Sequence, residues 1–274
     1  MVNAGPDPPV GEARPVAIVT GASSGIGEAA ALALAAAGFR VALTARRAAR
    51  LRALADRINA RAVGPGGEAQ GSRESAGGLA PSVVLPADVT RRHEMEAVVS
   101  GTLENFGRID VLVNNAGIMR LAALRKVDVG DWERTVDVNV KGVLFAIGAV
   151  LPVFLRQGSG HFVNVSSLAG RRPFPNGTVY SATKFAVRAI SEGLRGELSA
   201  DTGIRVTDVG PGVVETELLD GTYDREARER FEGYWAGRRR LDARDVASAI
   251  VYAVTAPPHV NVNEMLIRPT DQKT

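Results

Sequence analysis

The chain has 274 residues, 45% hydrophobic and 23% charged, the balance of a globular protein large enough to bury a substantial core. Its formal charge is +3, but the arginines are scattered among 30 acidic residues and only Arg238, Arg239 and Arg240 form a run, which argues against nucleic-acid binding. The absence of cysteine excludes disulfide and thiolate chemistry, and His93, His161 and His259 lack the spacing of a metal site.

The opening MVNAGPDPPVGEARP has no apolar segment of the secretory kind. Residues 1–13 are therefore expected to be a disordered tail and the protein cytoplasmic. No 18-residue apolar run stands out, so no membrane span is expected. Short β-branched runs then follow in order: PVAIVT (15–20), RVALT (40–44), SVVLP (82–86), DVLVN (110–114), HFVNVS (161–166), IRVTDV (204–209) and MLIR (265–268). They are continuously apolar, as befits strands covered on both faces, and helix-favouring stretches such as EAAALALAAAG separate them. This alternation predicts an α/β fold: a single-domain, Rossmann-type, doubly wound parallel sheet of about seven strands spanning residues 14–270. The glycine-rich stretch AVGPGGEAQGSRESAGGLAP (62–81), with six glycines, reads as a flexible insertion, and 213–240 as a partly helical substrate lid.

The first strand runs into TGASSGIGEAAA, with Gly21, Gly25 and Gly27 at the turn. A strand, a glycine-rich turn and a helix start form the geometry that cradles a dinucleotide, although glycines also serve as plain turn residues. The second strand ends in ALTARR, where an acidic residue would favour NAD. Ala45, Arg46 and Arg47 stand there instead, and two guanidinium groups suit a 2′-phosphate unless they only open a solvated helix. Asp88, after the third strand, can accept from an adenine amino group. Asn114 and Asn115, after the fourth, can tie strand ends together, and Gly117 leaves room for a cofactor.

Lysine is scarce, four against 29 arginines, yet one of the four, Lys184, lies a helical turn after one of only four tyrosines, Tyr180. A nearby ammonium would lower the phenol's pKa from ~10 toward a useful range. Ser167, ending the fifth strand, can hydrogen-bond a substrate oxygen.

In order and spacing, TGASSGIG (20–27), DV (88–89), NNAG (114–117), Asn139 in DVNVKG, Ser167 in NVSSLAG, YSATK (180–184) and PGVVET (211–216) resemble the short-chain dehydrogenase/reductase family, over roughly residues 14–268. The resemblance implies catalytic roles for Asn139, Ser167, Tyr180 and Lys184, with Asn139 holding a water that links Lys184 to solvent. It implies NADP(H) contacts from Gly21, Ser23, Ser24, Gly25, Ile26, Gly27, Arg46, Arg47, Asp88, Val89, Asn115, Ala116, Gly117, Tyr180, Lys184, Pro211, Gly212, Val214 and Thr216, the last bonding the nicotinamide carboxamide. The expected partner is a small carbonyl or alcohol substrate; the ending VNVNEMLIRPT is similar to members acting on 3-hydroxy acids such as serine and on the aldehyde leading to clavulanic acid. No metal is expected. Counterparts of the helices around 132–155 and 179–200 pair across a dimer or tetramer in this family, so a homodimer or homotetramer is expected. In the lid, Phe231, Tyr234 and Trp235 are candidate pocket walls, and Arg225, Arg228 or Arg238 could attract a carboxylate. The competing function is a non-catalytic NADP(H)-sensing regulator.

Overall fold

The computed structural model describes residues 14–62 and 81–272. The expected tail over 1–13 and, but for its end residues, the insertion over 62–81 lie outside the described residues. Seven strands, β1 (Val16–Thr20), β2 (Arg40–Thr44), β3 (Ser82–Val84), β4 (Val111–Asn114), β5 (Gly160–Val165), β6 (Ile204–Pro211) and β7 (Glu264–Ile267), form one sheet. Their order is β3-β2-β1-β4-β5-β6-β7, and every neighbouring pair is parallel.

Strand residues alternate between two cores. Ala17, Val19, Val41, Leu43 and Val113 point to one face, where α1 (Gly25–Ala36), α2 (Ala48–Ala62) and α8 (Ala243–Thr255) cover them. Ile18, Ala42, Leu112, Phe162 and Val206 point to the other, under α3 (Arg92–Phe106), α5 (Gly142–Gln157) and α6 (Thr178–Thr202). Burial on both faces is why these strands read as unbroken apolar runs.

A short helix, α4 (Val129–Val136), leads into α5 through a π-type turn over Asp137–Lys141. The merged run Val129–Gln157 is long and apolar enough, by length and composition, to cross a membrane. Sequence inspection misses it because Asn139 and Lys141 interrupt the apolar pattern; the helix absorbs both. Here it serves as a core helix, with Val143, Ala146, Ile147, Val150, Val153 and Phe154 buried in the second core.

Because β3 lies at one edge, the chain must cross β2 and β1 before β4 begins, and the connections diverge between β1 and β4. Crevices for ligands open at the carboxyl ends of strands at such a switch point. Thr20 closes this junction: the Asn115 backbone N–H donates to its Oγ1 (3.0 Å), and the Asn115 amide to its carbonyl (2.9 Å). Asn114 does the same between β4 and β5, donating to Asn164 Oδ1 at 2.9 Å.

At the opposite end of the sheet His161 is 1% exposed, with Nε2 2.8 Å from Thr207 Oγ1. Burial, helped by the charge of Arg205, pushes its pKa down to about 3. The unfolded chain takes up this proton near pH 6.5 and the folded chain only near 3. Stability from His161 is thus fully present above pH 6.5 and lost as pH falls toward 3. Urea melts at pH 7 and pH 5 are expected to show wild type losing about 2 kcal/mol more than His161→Gln, from ~1.4 kcal/mol per pH unit. Parallel losses would contradict the assignment.

Candidate active site

A cleft of about 1520 Å³ opens along the carboxyl ends of the strands. Its floor at one end is the turn between β1 and α1. A Cβ on Gly21 would sit 2.9 Å from Ala116 Cα, and one on Gly27 only 2.3 Å from Gly21 O. The two glycines therefore let the turn press against β4. Ser24 stands at the N-cap of α1 with extended backbone but makes no side-chain cap, so the first-turn N–H groups of this helix face the cleft without a capping side chain.

Gly21, Ser23, Ser24, Gly25, Ile26, Arg46, Arg47, Asp88, Val89, Asn115, Ala116, Gly117, Pro211, Gly212, Val214 and Thr216 all line the cleft. Gly27 does not; it packs beneath Gly21 and Asn115. The cradle a side chain would fill, the helix start and the paired arginines fit a dinucleotide with an additional phosphate. Asp88 Oδ1 is engaged by Thr90 through its N–H (3.0 Å) and hydroxyl (2.8 Å), which orients the carboxylate at the end of the cleft. Thr216 reaches over Gly25, and its Oγ1 accepts from Leu218 N at 3.4 Å.

At the other end lie Ser167, Tyr180 and Lys184. Ser167 follows β5 with extended backbone, and its Oγ accepts from Ala169 N at 3.0 Å, starting a 3-10 turn over Leu168–Gly170. The same hydroxyl donates to Pro211 O at 3.4 Å and lies close enough to Tyr180, on the first turn of α6, to favour its phenolate. Lys184, one turn on, donates to Val165 O at 2.8 Å and puts Nζ 5.8 Å from the Tyr180 ring centre.

Two features depart from expectation. Burial pushes the Tyr180 phenol up to about 12, against the effect of the Ser167 hydroxyl, where a lowered value was expected. The reason is tertiary: Tyr180 is 6% exposed, and desolvation disfavours a phenolate more than the Ser167 hydroxyl favours it. Asn139 is buried within the π-type turn and does not line the cleft. Its Oδ1 accepts from Ile118 N (2.8 Å), and its Nδ2 donates to Ile118 O (2.9 Å) and Thr183 Oγ1 (3.0 Å). A Cβ on Gly117 would stand 3.3 Å from Asn139 Oδ1 and 3.8 Å from Lys184 Nζ, so these two side chains flank the space that a side chain at 117 would take.

Sequence inspection also misses Asp208. This buried carboxylate on β6 accepts from Ser166 Oγ at 2.5 Å, while its Oδ2 has no hydrogen-bond partner among the described residues. Burial raises its pKa; burial lowers that of Lys184 to about 8, opposed by the charge of Asp208. The signal was present as the single acid in IRVTDV, set between Thr207 and Val209 near the end of a strand. Asp208 thus helps to keep an ammonium in a place that disfavours one.

The lid comprises a 3-10 turn over Glu217–Gly221 and α7 (Arg225–Trp235). Phe231, Tyr234 and Trp235 line the cleft, as expected, but Arg225, Arg228 and Arg238 do not. The helical phase explains this: Ala227, Phe231 and Trp235 face inward, while Arg225 pairs with Glu229 and Arg228 with Glu232 on the outer face. Arg238 instead stacks over Tyr234 at 4.2 Å. Arg120, Arg171, Arg172, Arg230 and Arg240 are the arginines that line this side of the cleft. Next to Tyr180 the wall is apolar: Phe174 meets its ring edge-on at 6.4 Å and itself packs tilted against Phe231 at 6.0 Å, with Met119, Leu121 and Leu219 in the same cluster.

Comparison with known proteins gives a consistent picture. Residues 15–227 match the family described as short chain dehydrogenase. An uncharacterized oxidoreductase of Staphylococcus saprophyticus is 44% identical over 254 residues, covering 93% of this chain and 97% of the relative. Glycine betaine reductase of Emericella nidulans is 43% identical over 257 residues, 94% of this chain but only 19% of that much longer protein. Among solved structures, the closed form of serine dehydrogenase complexed with NADP+ superimposes with a TM-score of 0.81 at 32% identity, covering 94% of this chain and 96% of its own. A short chain dehydrogenase/reductase from Burkholderia phymatum in complex with NAD has a TM-score of 0.79 at 27% identity, covering 92% and 88%.

Proposed function

We propose that this chain, which belongs to the short chain dehydrogenase family and is an oxidoreductase of that kind, uses NADP(H) to interconvert a carbonyl and its alcohol, with Tyr180 exchanging the proton. The observation that carries this reading is the Ser167–Tyr180–Lys184 constellation, buried at the apolar end of a cleft whose other end is a phosphate-suited glycine turn.

The Gly21–Gly25 turn with Arg46 and Arg47 would hold NADP(H) along the cleft, where it would supply the hydride. Ser167 hydrogen-bonds the substrate carbonyl oxygen and holds it beside the Tyr180 hydroxyl. A phenol kept protonated by burial is in the state required to donate, and as negative charge grows on that oxygen Tyr180 delivers its proton. Lys184 offers a compact ammonium to the developing phenolate and to ribose hydroxyls, a double duty that the planar fork of arginine does not match. Asn139 acts on Lys184 indirectly, by holding Thr183, the residue before it on α6, through its amide. The Phe174 and Phe231 rings and Leu219 favour a carbonyl flanked by apolar surface. A panel of aldehydes, ketones and β-keto acids, followed by NADPH oxidation, tests the reading; turnover of at least one is expected, and binding of NADPH without any turnover would favour a sensing role.

For the cofactor, Arg46 and Arg47 beside Ala45 support NADP(H). NADPH is expected to bind about ten- to a hundredfold more tightly than NADH, from charge-assisted hydrogen bonds of ~1.5–3 kcal/mol. Arg46→Asp should reverse that order. Equal binding of both by the unmodified protein would remove the cofactor assignment.

A cytoplasmic setting and assembly as a homodimer or homotetramer complete the proposal. Exposed Val136, Leu144 and Leu155 on the α4–α5 run and Phe185 on α6 support self-association through these helices.

A further inference from the structure

Arg47, expected to receive the 2′-phosphate, is already engaged. Its Nε donates to Ser23 Oγ (3.0 Å), Nη2 to Ser24 Oγ (2.6 Å) and Nη1 to Glu217 Oε2 (2.8 Å). Arg50, one helical turn on, donates from Nη1 to both Glu217 oxygens at 2.7 and 2.9 Å. A carboxylate from the lid therefore sits in a basic, hydroxyl-lined position that suits an anionic oxygen cluster. The two arginines hold the Glu217 carboxyl well below the usual carboxylate range, at about 2, so it is charged at any working pH.

We propose that Glu217 is an internal stand-in for the cofactor's 2′-phosphate, and that a 2′-phosphate displaces it and so releases the first turn of the lid. The idea rests on the NADP(H) reading above and deepens it. All three side chains are nearly half exposed, and ion pairs of this kind are individually weak and salt-screened. A phosphate brings more charge and three acceptor oxygens to the same donors, which favours exchange.

The released segment is bounded on both sides. Thr216 packs over Gly25 before it. After it, Thr222 Oγ1 donates to Met119 O (3.1 Å) and accepts from Leu121 N (3.3 Å), and Lys126 holds Asp224 at 2.7 Å. Only residues 217–221 are free to re-seat. That turn carries Leu218 and Leu219, which pack against the cluster containing Tyr180. Displacement of Glu217 at the adenosine end thereby reaches the substrate end, about which NAD, lacking the phosphate, carries no message.

The test uses the full-length chain, wild type and Glu217→Gln, titrated calorimetrically with adenosine 2′,5′-bisphosphate and with 5′-AMP. The variant is expected to bind the bisphosphate about three- to tenfold more tightly than wild type, as removal of two exposed ion pairs allows, with 5′-AMP unchanged. Amide hydrogen exchange at 218–221 should accelerate in wild type on adding the bisphosphate but not 5′-AMP, and be fast in the variant from the outset. Equal or weaker binding of the bisphosphate by the variant would overturn the proposal, since Glu217 would then be orienting the arginines and not competing for them. Unchanged exchange would also overturn it. If wild type itself does not prefer the bisphosphate, the NADP(H) reading fails and the latch with it; if it does and the variant matches it, the latch alone fails.

Discussion

Tyr180→Phe is expected to lower reductase turnover by about a hundred- to ten-thousandfold, the contribution typical of a positioned general acid, while NADPH affinity stays within about twofold. The substitution removes one hydroxyl and leaves the ring packed edge-on against Phe174. Ser167 keeps its hydrogen bonds to Ala169 N and Pro211 O, so the site should hold its shape and the fold should lose only about 1 kcal/mol. A parallel fall in kcat and in kcat/KM would mark an interaction made in the transition state. Turnover retained at the wild-type level would assign the proton to another group.

The second large effect is expected from Gly27→Ala. The added methyl carbon would stand 2.3 Å from Gly21 O and 2.5 Å from Asn115 Nδ2, both parts of the junction between β1 and β4. Gly21 O is backbone, and the Asn115 amide is held by its 2.9 Å hydrogen bond to Thr20 O, so the turn itself must shift. Overpacking of this kind costs typically ~1–3 kcal/mol, and here it also breaks the cradle, so NADPH affinity should fall more than tenfold. Gly193→Ala, on α6 with nothing within 4 Å of the new carbon, is the control. It should be neutral or stabilising by about 0.5–1 kcal/mol, because alanine is the better helix former. Similar behaviour of the two variants would show that Gly27 has no packing role.

What was legible in the sequence was local. Each strand shows as an apolar run, and β2 matches its expected bounds residue for residue because RVALT is flanked by clear turn and helix signals. Tyr180 and Lys184 share a face through helical spacing alone. The Asn114 and Asn115 ties were foreseeable because both close a strand. What escaped depends on contacts distant along the chain. Glu217 meets Arg47 across 170 residues, and nothing in PGVVETEL marks it as a partner for the second strand. The direction of the Tyr180 shift is set by how deeply the lid and α6 bury the ring, which no four-residue spacing encodes. The lid arginines were misjudged for want of a helical phase: once Ala227, Phe231 and Trp235 face inward, Arg225 and Arg228 must face water. Asn139 is a related case, since the π-type turn that aims its amide at Ile118 is a backbone irregularity without a residue signature.

The central claim is that hydride moves from the cofactor to a carbonyl carbon while Tyr180 protonates the oxygen. The most direct measurement supplies NADPH deuterated at the transferable position with a carbonyl substrate found in the panel, and reads the product by mass spectrometry for wild type and Tyr180→Phe. The account predicts one deuterium on the carbinol carbon with wild type, and product formation reduced at least a hundredfold with the variant. Unlabelled product, or labelled product formed equally fast by Tyr180→Phe, would contradict it.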